Sequence, residues 1–110
     1  MEKFIIKKQI NGQFYFVLAA TNGQTILKSE AYDSKQGCIN GMNSVKNNAP
    51  EDARYERLVS KNGQFYFNLK ARNGEIIGTS EMYTTEPGRN NGIEAVKKSA
   101  PTADIEDATK

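Results

Sequence analysis

The sequence predicts an α+β protein made of two tandem β-β-β-α units closed around a pseudo-twofold axis. Three observations lead there. The hexapeptide NGQFYF occurs twice, at residues 11–16 and 62–67. Aligning residues 11–50 on 62–101 takes a single offset of 51 and no gap, and leaves 21 of 40 positions identical, the mark of a tandem duplication. Two copies are too few for a solenoid, which needs about three to bury a continuous core, so a closed pair is expected. Finally, within each copy a period-2 apolar pattern gives way to a helical one.

The elements follow in order. Strands are predicted at 3–10, 13–20 and 24–32, and again at 54–61, 64–71 and 75–83. Asn11-Gly12, Asn22-Gly23, Asn62-Gly63 and Asn73-Gly74 separate them and suit two-residue type I′ hairpins. In QFYFVLAA, alternation puts Phe14, Phe16, Leu18 and Ala20 on one face; Phe65, Phe67, Leu69 and Ala71 repeat the pattern. The third strand is less regular, because adjacent Ile26 and Leu27 favour opposite faces, and a bulge would reconcile them. Ser34 and Thr85 are natural helix N-caps, with Pro87 in the first turn where a missing N–H costs little. Cys38, Met42, Val45 and Ala49 then form an apolar stripe, matched by Ile93, Val96 and Ala100. Gly41 and Gly92 lie beside it, although glycine weakens a helix by about 1 kcal/mol, which implies close approach of the helix to the sheet. Ala49-Pro50 and Ala100-Pro101 end the helices.

The 110 residues read as a single domain, with repeats at about 1–50 and 51–101 and a tail at 102–110. A hydrophobic share of 37% beside 25% charged residues fits a soluble globular chain. No apolar stretch reaches bilayer length and no signal-peptide pattern follows the N-terminus. With Cys38 as the only cysteine, the expected compartment is the cytoplasm. The formal charge of +2 does not by itself argue for nucleic acid. The tail from Thr102 is compatible with disorder or with a short added strand.

NGQFYF, the NG-x-x-I-x-x-SE-x-Y segment and the G-(I/M)-x-x-VK helix together resemble the YegP-like family of small bacterial proteins, tandem repeats of a domain of unknown function. The resemblance covers nearly the whole chain. It implies one antiparallel sheet shared by two β(3)-α units, both helices on one side, and strand exchange between the units; single-repeat relatives pair as dimers. It implies a fold and no activity. Leu27 is replaced by Gly78 between the copies, and Cys38 by Arg89.

The chemistry available is narrow. The chain contains no histidine, which removes Ser-His-Asp and Cys-His triads and histidine metal sites. One cysteine cannot build a thiolate zinc site, and no phosphate-cradling glycine loop is present. No catalytic residue, cofactor or metal site is expected, and Cys38 reads as core filler. Ser29-Glu30-x-Tyr32, repeated as Ser80-Glu81-x-Tyr83, is the best constellation for acid–base work. It reads more simply as structure, with Glu30 and Tyr32 on one face and Glu30 paired to a cation such as Lys46. With both helices on one face, the other face of the sheet is open and carries Tyr15, Val17, Tyr66, Asn68 and Lys70, with Gln13 and Gln64 nearby. Exposed tyrosines beside a lysine suit base stacking or a protein partner. The expected function is that of a non-enzymatic binding or protein-interaction module, monomeric with internal pseudo-symmetry and without membrane contact. Nucleic-acid binding on the open face is the alternative, and an enzyme of unknown type comes third.

Overall fold

A computed structural model describes residues 2–110. Its elements are β1 (Lys3–Lys8), β2 (Phe14–Ala19), β3 (Thr25–Lys28), α1 (Lys35–Asn48), β4 (Tyr55–Val59), β5 (Phe65–Lys70), β6 (Ile76–Ser80), α2 (Glu86–Ser99) and β7 (Asp104–Asp107). The seven strands form one sheet in the order β4-β5-β6-β3-β2-β1-β7. Every neighbouring pair is antiparallel except β1 and β7, which run parallel. The duplicated β-β-β-α order is therefore as predicted, and the tail is a strand.

The hairpins differ from the expected type. All four turn glycines have positive φ, Gly12 at 88° for example, but no asparagine does, so none of the turns is type I′. Instead the Gly12 N–H donates to Gln9 O at 3.0 Å and the Gln9 N–H to Gln13 O at 2.8 Å, closing a three-residue loop with glycine in the left-handed position. Asn11 serves through its side chain, Oδ1 accepting from the Gln13 N–H at 3.0 Å, and Asn22 and Asn73 do the same for Gln24 and Glu75. The first loop consumes Gln9 and Gln13, which is why β1 and β2 are shorter than predicted. The bulge is present: the register between β2 and β3 shifts between Leu18 and Ala19, and both Ile26 and Leu27 are buried. The same shift recurs between Leu69 and Lys70.

Both helices begin as the caps dictate. Ser34 Oγ accepts from the Gly37 N–H at 3.0 Å, and Thr85 Oγ1 from the Gly88 N–H at 3.1 Å. Cys38, Met42, Val45, Ala49, Ile93, Val96 and Ala100 are fully buried against Phe4, Phe16, Leu18, Phe67 and Leu69. Each large side chain so buried contributes roughly 1.5–3 kcal/mol. The close approach at Gly41 is to aromatic rings: a Cβ there would lie 2.7 Å from Tyr32 Cζ and 3.2 Å from Phe16 Cε2. Gly92 meets Tyr83 and Phe67 in the same way.

The two halves meet where β3 pairs with β6, Leu27 opposite Ser80 and Lys28 opposite Thr79. Leu27 and Gly78 occupy equivalent positions beside this seam, and a Cβ on Gly78 would lie 2.7 Å from Leu27 Cγ and Cδ2. The seam accommodates one leucine between the two halves, and the first repeat supplies it.

The outer edges are finished differently. β7 covers β1, with Ala108 N–H donating to Ile6 O at 3.0 Å, Lys3 paired to Glu106 at 2.6 Å and Lys35 to Asp107 at 2.7 Å. Among the described residues no strand covers β4. There Arg89, buried at the position equivalent to Cys38, donates to Leu58 O at 3.3 Å, pairs with Glu86 and sits 5.4 Å from the Phe65 ring centroid. A side chain thus caps one edge where a strand caps the other.

Candidate binding face

Residues paired across the sheet share a face, so the register separates the two sides. Phe14, Phe16 and Leu18, with Phe65, Phe67 and Leu69, face the helices. Tyr15, Val17 and Ala19, with Tyr66, Asn68 and Lys70, line the opposite side, which has no second layer among the described residues.

Of the five residues predicted for that face, Tyr15, Tyr66 and Lys70 are partly exposed, whereas Val17 and Asn68 are buried at 4% and 8% exposure. Cross-strand neighbours cover them. Asn68 is held in a polar ladder: Thr79 Oγ1 donates to its Oδ1 at 2.8 Å, and its Nδ2 donates to Glu56 Oε1 at 3.2 Å. Lys70 closes the ladder on Glu56 at 3.4 Å. The Asn68 hydrogen bond, with Lys70 behind it, holds the Glu56 carboxyl below its ordinary pKa. Asn68 and Lys70 are therefore engaged in the sheet, an involvement that alternation alone does not reveal. Gln13 and Gln64 are turn residues, Gln13 Nε2 donating to Asp33 at 2.9 Å and Gln64 Oε1 accepting from Asn62 at 3.3 Å.

The Ser-Glu-x-Tyr motif is built differently from the sequence reading. Glu30 and Tyr32 are not side by side: Tyr32 packs under α1 against Gly41, while Glu30 is exposed at the seam. Nor does Lys46 pair with Glu30; it donates to Ala103 O at 3.1 Å on the helix side. The working residue is serine. Ser29 Oγ accepts from the buried Phe16 N–H at 2.9 Å and donates to Glu30 O at 2.7 Å, bridging a second irregularity at the end of β3. Ser80 does the same for Phe67 at 3.0 Å and Glu81 at 2.8 Å. Burial raises the pKa of the Tyr32 and Tyr83 hydroxyls.

Sequence reasoning missed the residues that give the open face its charge. Lys7 lies directly across from Tyr15. Lys28 lies across from Val17, its ammonium 5.0 Å from the Tyr15 ring centroid. Lys8, Gln9, Ile10, Asn11, Tyr15 and Lys28 line an open concavity of about 560 Å³ at this end of the sheet. Each lysine was visible in sequence, but their convergence on Tyr15 depends on the pairing of β1 and β3 with β2.

Comparison with known proteins agrees with this architecture. The model of a domain of unknown function, DUF1508, matches twice, at residues 10–56 and 60–107. The chain belongs to the DUF1508 family. It is 55% identical over 94 residues to a UPF0339 protein from the ptx operon 5′ region of Stutzerimonas stutzeri, covering 86% of this chain and 85% of that one. It is also 47% identical over 106 residues to the UPF0339 protein YegP of Escherichia coli K12, 96% of each chain. The solution NMR structure of YegP, a protein of unknown function, superimposes with a TM-score of 0.92 at 46% identity, covering 97% of this chain and 92% of that one. A Shewanella oneidensis UPF0339 protein gives a TM-score of 0.91 at 48% identity, over 96% and 90% of the respective chains. The boundaries of the two DUF1508 matches clarify the exchange of strands. Each unit runs from its first hairpin through its helix into the next strand, so the first ends in β4 and the second in β7. β4 pairs with β5 of the second unit, and β7 returns to β1 at the other end of the sheet.

Proposed function

We propose that this DUF1508 protein is a non-enzymatic binding module that presents the helix-free face of its sheet to a partner. One observation carries the reading. On the helix side, residues identical between the repeats, such as Phe16 and Phe67 or Leu18 and Leu69, are accounted for by the core they fill. On the open side the repeats differ at Ile5 and Glu56, Lys7 and Leu58, Val17 and Asn68, Ala19 and Lys70, and Lys28 and Thr79. Among the strand residues paired across this side, only Tyr15 and Tyr66 are the same in both, and they are partly exposed, so core packing does not account for their identity. Tyrosine at an uncovered position offers a large rigid contact surface with little side-chain entropy to lose.

The test isolates the tagged full chain with its partners from cells and follows the complexes by native size exclusion. Tyr15→Ala and Tyr66→Ala together should abolish the larger species while leaving the fold intact by circular dichroism. Complexes that persist undiminished in the double variant would overturn the reading.

A further inference from the structure

We infer that the ligand site on this face belongs to the first repeat and takes single-stranded nucleic acid, an assignment that rests on the binding-module reading above. The duplication supplies an internal control. The fold builds each strand and hairpin twice, so residues required by the architecture should recur at an offset of 51; the partly exposed tyrosines recur without a core to fill, and what distinguishes the first repeat is the set of lysines added around its tyrosine. Lys7, Lys8 and Lys28 do not recur: their counterparts are Leu58, Val59 and Thr79. The second repeat shows that the sheet forms without them.

None of these three lysines makes an ion pair among the described residues, whereas Lys3, Lys35, Lys70 and Lys97 all do. Lys7 and Lys28 flank Tyr15 on the open face, whereas Lys8, paired with Phe14 and with its ammonium 5.4 Å from that ring's centroid, only borders the concavity of about 560 Å³ from the helix side. That volume falls within the range of roughly 300–1,000 Å³ typical of small-ligand pockets and would admit a nucleotide unit. Its lining combines ammonium groups, one aromatic ring, the amides of Gln9 and Asn11, and the exposed Ile10. Cations for phosphates beside an aromatic and an apolar surface for bases are the elements of single-strand recognition. An acidic peptide would use the charges but leave Tyr15 and Ile10 without a planar partner. Towards the seam, Glu30 and Glu81 border the neighbouring hollow of about 240 Å³ with Lys28, and their charge limits a polyanion to the β1–β2–β3 end.

The test is an amide NMR titration of the full chain with a mixed-sequence single strand of about eight nucleotides, with polyglutamate of equal charge as the competing probe. The expected result is saturable shifts on residues 7–15 and 28, with affinity falling about sevenfold between about 50 and about 200 mM salt, as two phosphate contacts, at Lys7 and Lys28, require. Lys7→Leu and Lys28→Thr install residues the second repeat already carries, and each should lower the salt slope by about 0.7. Leu58→Lys with Thr79→Lys should create a second site around Tyr66. Polyglutamate producing the same shifts as strongly would overturn nucleic acid as the ligand while leaving the binding face standing. Oligonucleotide shifts centred on Tyr66 would overturn the location. If neither probe binds, the inference falls, and the tyrosine-dependent complexes then decide the broader reading separately.

Discussion

Ser29 shows how a motif that resembles chemistry can be structural. Its hydroxyl is the partner of a buried backbone N–H, that of Phe16, and passes the bond on to Glu30 O. Ser29→Ala should therefore cost about 1–3 kcal/mol, because a buried donor is left unsatisfied. Glu30→Gln, at an exposed position, should stay within about 0.5 kcal/mol; urea unfolding of both variants compares them directly. A costly Glu30→Gln with a harmless Ser29→Ala would reverse the assignment. Cys38 gives a second expectation. Burial, with Asp107 nearby, pushes its thiol pKa up to about 11. At pH 8 the native protein should react slowly with iodoacetamide and the urea-unfolded chain quickly, since the thiolate is the reactive form.

β7 is the element whose attachment depends most on charge. It is four residues long, joined to β1 by a short parallel ladder and tied down by Lys3–Glu106 and Lys35–Asp107. Hydrogen bonds from Lys35 and Thr109 hold the Asp107 carboxyl far below the ordinary carboxylate range. A depressed folded-state pKa contributes stability that is present above the unfolded value of about 3.9 and is lost as the pH falls toward the folded one. Amide protection in β7 should thus decline from about pH 4 downward, and Asp107→Asn should flatten that dependence in hydrogen-exchange measurements. Removing residues 104–110 exposes the whole β1 edge, an invitation to strand pairing between chains. The truncated chain should show concentration-dependent association by sedimentation; a monomer at every concentration would mean that β1 protects itself. The β4 edge needs no such strand, since Arg89 and the charged Glu56 and Arg57 already guard it.

The whole molecule is held as one body by a seam that the two repeats solve asymmetrically. Leu27 fills the space that Gly78 leaves. Leu27→Gly should cost about 3–5 kcal/mol as a cavity, and Gly78→Leu should be at least as damaging by overpacking. The reciprocal double variant places the leucine on the other side of the pseudo-twofold axis and should recover much of the loss, a strongly non-additive pair in a double-mutant cycle. Simple additivity would show that the seam does not work as a complementary pair. α1 also packs on β5 and β6 of the other half, and α2 on β3. Residues 1–50 alone should accordingly be unfolded or dimeric, which circular dichroism and sedimentation would distinguish from a folded monomer.

Local pattern made the duplication, the order of elements, the caps at Ser34 and Thr85, the buried Cys38–Met42–Val45–Ala49 stripe and the bulge at Ile26 legible in the chain. Periodicity and capping are properties of neighbours in sequence, so they can be read without a structure. The turn type escaped because Asn-Gly suits more than one hairpin, and hydrogen-bond closure at Gln9 chose among them. The burial of Val17 and Asn68, the bridging role of Ser29, the parallel docking of β7, the Arg89 cap and the gathering of Lys7 and Lys28 around Tyr15 all depend on register between distant segments. Alternation assigns a residue to a face of its strand; only the pairing of strands decides which side chains cover it and which charges it meets.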